Sequence, residues 1–305
     1  MTIGQALAIY ANEGANDLTS PERAAYAIDA LDPLLGDLAI SEIDGQTCRK
    51  YLADRGVSPS TVRRELGVLQ SALAYCKRER LLAAAPDVWR PPETPPVERW
   101  LTRQEAAWLL RAARQLRKDG RHLADFILCG IYTGTRRDSI LALHIDEKSP
   151  SGGYIDTEHG ILYRRPPSTA ETNKRRRPAR LPRKYLNQIR RQKRNGRRFV
   201  VQDCAGNRVA SIRKGWARAV QLAEQLAAEK NIELDLTQIV GGRKKYITPH
   251  VLKHTAITWA LQNGSEMWDA AGYFSTSVDT LERVYGHHSP MHQESTVRAL
   301  DGRRK

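Results

Sequence analysis

The sequence lacks any apolar run approaching the roughly 20 residues that a membrane span requires. It opens on MTIGQALAIYANEG, with no basic segment leading into a long apolar core, so neither insertion nor secretion is expected. Cysteine is scarce: Cys48, Cys76, Cys129 and Cys204 are widely separated and form no C-x-x-C pair, which argues against a zinc ribbon, a redox centre or a disulfide framework. His250 and His254 are spaced i, i+4 as a metal pair can be, but the Glu of an H-E-x-x-H site is missing and no third ligand is evident, so no metal or other cofactor is expected. No repeat of 20–50 residues is visible. Acid is in short supply, with 34 Asp+Glu against 49 Lys+Arg over 305 residues and a net charge of +15. With 41% hydrophobic residues the chain is globular rather than disordered, and its composition predicts a soluble, cytoplasmic protein whose first candidate partner is a polyanion.

The charge is concentrated. Between Arg164 and Arg198 there are fifteen basic residues and one acid, Glu171, whereas residues 1–90 hold ten basic and twelve acidic side chains. A run of this kind can be a solvated face, but here Tyr163, Leu181, Tyr185, Leu186, Ile189 and Phe199 interleave it mid-chain. That pattern predicts a folded phosphate-binding surface.

Four prolines between Pro91 and Pro96 mark a stiff connector, which predicts a domain at 1–90, a linker at 91–99 and a second domain at 100–305. Helical periodicity covers about 3–12, 21–35, 46–55 and 59–82, so the first domain reads as all-helical. Ser58-Pro59 opens the last of these helices, which carries Arg63, Arg64, Lys77 and Arg78 as candidate DNA contacts. In the second domain Thr102 to Glu105 forms a capping box whose helix is expected to run to Lys118 and stop at Gly120. Leu123 to Tyr132 reads as a buried helix, and helices are expected at 182–195 and 210–230. Tyr154–Asp156, Gly160–Arg165 and Arg177–Leu181 predict a small antiparallel sheet, and Thr248-Pro249 a helix start running to Asn263 with Gly264 as its stop. The fold class is mainly α with one small antiparallel β-sheet.

Four separated segments then stand in a telling order. They are Tyr132-Thr-Gly-Thr-Arg136, Lys174 ahead of Leu181-Pro182, Thr248-Pro-His-Val-Leu-Lys-His-Thr255, and Ser277-Val-Asp-Thr-Leu-Glu-Arg-Val-Tyr285. Together they make the second domain resemble the catalytic domain of the tyrosine recombinases, the phage-integrase family. The resemblance implies a helical, SAM-like core-binding domain ahead of the catalytic one, the two closing as a C-shaped clamp on double-stranded DNA. It also implies site-specific recombination through a 3′-phosphotyrosyl intermediate, for integration or excision of a phage or mobile element. In that scheme Tyr285 is the nucleophile, Arg136, His250 and Lys253 are cationic donors, and Lys174 on a hairpin is the general acid. His254 is the second choice as donor. Arg175, Arg176, Arg177 and Arg180 are further candidate DNA contacts.

These residue types suit the chemistry. A phosphodiester transferred to a hydroxyl passes through a pentacoordinate phosphorus with extra charge on its oxygens, so fixed cations lower the barrier. A phenol of pKa near 10 is a weak nucleophile at neutral pH unless nearby positive charge favours its phenolate. Because the phosphotyrosyl bond retains the energy of the bond broken, rejoining needs neither nucleotide nor metal. Two positions depart from the family pattern: Lys253 stands where an arginine is usual, and Thr276 where a histidine or tryptophan is usual. Lysine keeps the charge but loses the bidentate fork. A recombinase-like DNA-binding regulator with little strand exchange is therefore the alternative, and a type IB topoisomerase ranks last. His287 and His288, just after Tyr285, read as exposed histidines, with compensation for the two altered positions as the second reading. The resemblance further implies self-association, dimer to tetramer on DNA, with Met291 to Leu300 packing on a neighbour, and allows a directionality factor or host DNA-bending protein.

Overall fold

The computed structural model describes residues 1–15, 18, 20–95, 99–116, 120–166, 176–286 and 301. They form two compact units, Met1–Pro95 and Pro96–Lys305.

The first unit packs four helices, α1 (Ile3–Ile9), α2 (Pro21–Leu35), α3 (Gly45–Arg55) and α4 (Pro59–Arg78), with a π-helical turn at Tyr10–Gly14 after α1. Ser58 Oγ accepts the Thr61 amide at 3.3 Å and Pro59 occupies the first turn, where its missing N–H costs nothing. The core is Leu7, Leu31, Tyr51, Val62, Leu66, Leu69 and Leu73, all fully buried. Helix α4 stops at Arg78 rather than continuing to 82, because the Leu81 and Leu82 amides turn back to the Cys76 carbonyl. The chain after it folds onto α4: Arg63 donates to the Pro91 carbonyl at 2.6 Å and to Glu93 at 3.2 Å.

The second unit holds α5 (Arg103–Gln115), α6 (Gly120–Thr133), α7 (Arg137–Leu141), α8 (Arg183–Arg194), α9 (Arg213–Ala228), α10 (Val251–Gln262), α11 (Met267–Phe274) and α12 (Val278–Tyr285). The expected capping box starts α5, with Thr102 N–H to Glu105 at 2.7 Å and Glu105 N–H to Thr102 Oγ1 at 3.1 Å. Its expected stop at Gly120 is wrong. Helix α5 ends at Gln115, where Leu116 turns extended and packs on the core, and Gly120 instead opens α6.

A four-stranded sheet runs in the order β1 (His144–Ile145), β2 (Tyr154–Asp156), β3 (Ile161–Tyr163), β4 (Ala179–Arg180). The three expected strands pair antiparallel, with Ile155 opposite Leu162 and Leu162 opposite Ala179. Strand β1 was not foreseen and pairs parallel with β2, so the sheet is mixed rather than purely antiparallel. Two residues are too few for alternation to reveal it. A second hairpin, β5 (Thr237–Val240) and β6 (Arg243–Tyr246), was also missed, although its Gly241-Gly242 turn, both at positive φ, is a hairpin signature.

Helix α10 begins later than Thr248-Pro249 suggested. Ile247 is buried and its carbonyl accepts the Trp216 indole N–H at 2.8 Å, so Thr248 and Pro249 form the tight turn leaving the core. The Val251 amide donates to the Thr248 carbonyl at 3.0 Å, and His250 becomes the cap residue at the mouth of α10. Among the described residues no helix is long and apolar enough to cross a membrane.

Candidate active site

The Thr133-Gly-Thr-Arg136 turn joins α6 to α7 and is shaped by its own side chains. Thr133 donates to the Cys129 carbonyl at 2.6 Å and accepts the Thr135 amide at 3.2 Å. Gly134 has φ +58°, and a Cβ there would lie 2.5 Å from the Phe274 ring, so both backbone and space require glycine. The turn delivers Arg136 as the half-buried cap residue of α7. Desolvation, and then the charge of Arg176, hold its guanidinium below the usual value.

Helix α10 supplies the next groups. Lys253 is only 8% exposed, and its ammonium is lowered to about 8 by burial and by Arg136 and Arg164. His250 keeps an exposed edge, yet the protein massed around its imidazole desolvates it, and Lys253 and Arg136 push in the same direction, so its pKa falls. His254, one turn on, meets His250 edge to face at 4.8 Å between ring centres. Burial, then His250 and Lys253, take it down to about 4.

Tyr285 ends α12, which is anchored through Leu281 and Val284 on Ile257, Leu261 and Phe274. Each such buried side chain contributes roughly 1.5–3 kcal/mol. The Tyr285 ring is 5% exposed, and its hydroxyl lies 2.8 Å from His254 Nδ1. Nearby cations were expected to favour the phenolate. Burial instead raises the phenol well above its ordinary value.

Arg164 is the residue that sequence reasoning passed over. It was counted in the basic run, but it is 5% exposed and makes three bonds inside the protein. Nε donates to Thr135 Oγ1 at 3.1 Å, Nη2 to the Thr133 carbonyl at 3.0 Å and Nη1 to the Arg177 carbonyl at 2.7 Å. Burial lowers it to about 10. The signal was available, since Arg164 lies two residues after Leu162 and a strand puts both on one face. The Arg177 amide in turn donates to Ser275 Oγ at 2.9 Å, and Ser275 holds a left-handed conformation at φ +52° between α11 and α12. The base of the β3–β4 hairpin is thus tied to the turn before Arg136 and to the turn before the Tyr285 helix.

The remaining expected residues divide. Lys174, Arg175, His287, His288 and Met291 to Leu300 lie outside the described residues. Thr276 is half-buried, and the bond recorded for it is its amide to the Ala271 carbonyl; among the described residues no contact brings its hydroxyl to the cluster, where Ser275 stands instead. Arg176 is half-buried beside Arg136, and Arg177 and Arg180 are exposed. Arg64, Lys77 and Arg78 are exposed, Arg78 pairing with Glu79, whereas Arg63 is engaged by Pro91 and Glu93.

Not every cation of the run from Arg164 to Arg198 is free to meet phosphate, which narrows that expectation: besides Arg164, four others are engaged within the protein. Arg190 donates to the Thr157 and Glu158 carbonyls, Lys193 pairs with Asp146, Arg197 with Asp125 and Arg198 with Glu147. Folding brings Asp125 of α6 and Asp146 and Glu147, just after β1, onto α8 and the residues that follow it, which a linear count cannot see.

Arg136, Arg164 and Lys253 therefore form a cationic cluster with the His250 imidazole beside it, and Tyr285 adjoins it through His254. Among the described residues, Arg136, Arg164 and Lys253 have no carboxylate partner. Uncompensated buried charge is costly, so such a cluster is built for an anion.

Solved structures share this architecture. A fragment of the Tn1549 transposon integrase in complex with transposon right end DNA superposes with a TM-score of 0.74 at 15% identity, over 99% of this chain and 100% of that one. A lambda integrase fragment bound to DNA gives 0.62 at 14% identity, over 92% and 94%. A lambda integrase dimer bound to a COC' core site gives 0.65 at 15% identity, over 92% and 97%. No family model and no curated protein matches the sequence. The chain has the fold of the tyrosine recombinases.

Proposed function

We propose that the protein is a site-specific DNA recombinase that cleaves and rejoins duplex DNA through a covalent link between Tyr285 and a 3′-phosphate. The observation that carries this reading is the placement of the Tyr285 hydroxyl, through His254, beside a cationic cluster that has no carboxylate partner among the described residues. A phosphodiester seated there has its nonbridging oxygens met by the charges of Arg136 and Lys253 and by the His250 imidazole as a hydrogen-bond donor, and these contacts strengthen as the phosphorus becomes pentacoordinate. The Tyr285 oxygen bonds to phosphorus, the bond to the 5′-oxygen breaks, and Lys174 supplies the leaving oxygen's proton. Thr276 keeps the place of a further donor by motif only. The second unit is the catalytic domain and the first a core-binding domain, with phosphate contacts from Arg64, Lys77 and Arg78 and from Arg176, Arg177 and Arg180. Mobile-element or phage integration and excision is the biological setting that the Tn1549 and lambda likenesses favour, and self-association on DNA accompanies it.

One observation favours the binding-only reading: Lys253 replaces a planar fork with a point charge of lowered basicity. A nicked suicide DNA substrate separates the two. A covalent protein–DNA adduct formed by the wild type and abolished in Tyr285→Phe is expected; sequence-specific binding without any adduct would assign the chain to the regulators.

A further inference from the structure

We propose that His254 is a catalytic residue, the acceptor of the Tyr285 hydroxyl proton as that oxygen attacks phosphorus. The inference rests on the recombinase reading above and names a step which that reading leaves open.

Two histidines compete for the role. His250 stands at the exposed mouth of α10, where its ring meets the His254 ring edge to face. His254 Nδ1 is the atom that meets the Tyr285 hydroxyl, at 2.8 Å, with the two rings 5.6 Å apart. This separation is fixed by packing. Helices α10, α11 and α12 share one apolar core, in which Ile257, three residues beyond His254, and Leu281 and Val284, on the Tyr285 helix, are buried. Thr255, the next residue, accepts the Leu101 amide and donates to the Val251 carbonyl, which holds α10 in rotation. The nucleophile and its acceptor are therefore in hydrogen-bond reach without rearrangement.

Burial and neighbouring charge together set the protonation state of His254. The groups facing His254 are His250 and Lys253 on its own helix and Tyr285 on α12, with Arg136 acting on both His250 and Lys253. Burial first, then His250 and Lys253, keep the imidazole neutral near pH 7; in the tautomer protonated at Nε2, Nδ1 offers a lone pair and the phenol donates to it. A phosphodiester bound between Arg136 and Lys253 offsets their positive field, which raises the basicity of His254 when substrate is present. In the step, the Tyr285 O–H bond breaks and its proton passes to Nδ1 while the oxygen–phosphorus bond forms. The phosphorus–5′-oxygen bond breaks, and that oxygen takes the proton of the general acid. Rejoining runs the transfers in reverse, and His254 returns the proton to Tyr285.

The test is single-turnover cleavage of the suicide substrate by wild type, His254→Gln and His254→Ala, with DNA affinity measured in parallel. Gln preserves a hydrogen-bonding group but cannot take a proton. The expected result is a loss of about 10²–10⁴ in rate for both variants with DNA affinity within about twofold of wild type. The log rate of His254→Ala should rise steadily with pH where the wild type levels off, and added imidazole should restore part of its activity. A His254→Gln variant at the wild-type rate overturns the proposal, as does a slow His254→Ala with an unchanged pH profile and no response to imidazole. In either case the wild-type adduct persists. Absence of a Tyr285-dependent adduct in the wild type instead defeats the recombinase reading, and this inference with it.

Discussion

Two basic regions of the second unit invite comparison. On α8 and its flanks, Arg190, Lys193, Arg197 and Arg198 are each met by a carbonyl or a carboxylate. Around α10, Arg164 and Lys253 are buried and Arg136 half-buried, none with a carboxylate partner among the described residues; after burial itself, Arg136 lowers the pKa of both others, and Arg164 that of Lys253. In the first region three of these four cations find a carboxylate; in the second, among the described residues, none does. What marks an anion site is the absence of an internal counter-charge rather than the number of cations, because only a buried charge without a carboxylate has free energy left to recover from an anionic ligand.

The comparison can be broken most sharply at Arg164. Replacing it by Met leaves the Thr133 and Arg177 carbonyls and the Thr135 hydroxyl without their donor, each worth roughly 1–3 kcal/mol when buried. A loss of about 3 kcal/mol in urea unfolding is expected, together with slower cleavage. Unchanged stability would mean that the guanidinium is not the tie between the Arg136 turn and the hairpin base.

Lys253 sharpens the same contrast with the opposite sign. Its ammonium titrates near 8 in the folded protein against an ordinary 10.5, so the folded state resists protonation. The penalty is fully present below pH 8 and is relieved as pH rises from 8 toward 10.5. Lys253→Met is therefore expected to be more stable than wild type at pH 7, by on the order of 3 kcal/mol, while losing cleavage. The gap should narrow between about pH 8 and 10 in thermal or urea unfolding. A Met variant that is less stable at every pH would show that Lys253 is compensated by a group within the protein.

The smallest effect is expected at an exposed cation. Arg180→Ala should change stability by less than about 0.5 kcal/mol and reduce the slope of log affinity against log salt by about 0.9. A slope unchanged in filter-binding titrations would remove Arg180 from the DNA interface.

Much of this molecule was legible in its residues. The capping box at Thr102, the Ser58-Pro59 start, the three central strands and the ordered motifs around Arg136, His250 and Tyr285 all depend on neighbours a few residues apart, and local sterics and hydrogen bonding decide them. The Thr133-Gly134-Thr135 turn is local too, although the Phe274 ring that forbids a Cβ at Gly134 comes from 140 residues away. Tertiary structure alone decided which cations remain unpaired, that Arg164 points inward, that Ser275 rather than Thr276 joins the hairpin, and that His254 rather than His250 meets the Tyr285 hydroxyl. Those outcomes depend on which distant acids and carbonyls fold against each charge, and on burial, which tunes a pKa through everything packed around it. A linear order of side chains fixes their type and spacing, but their dielectric surroundings exist only once the chain has closed on itself.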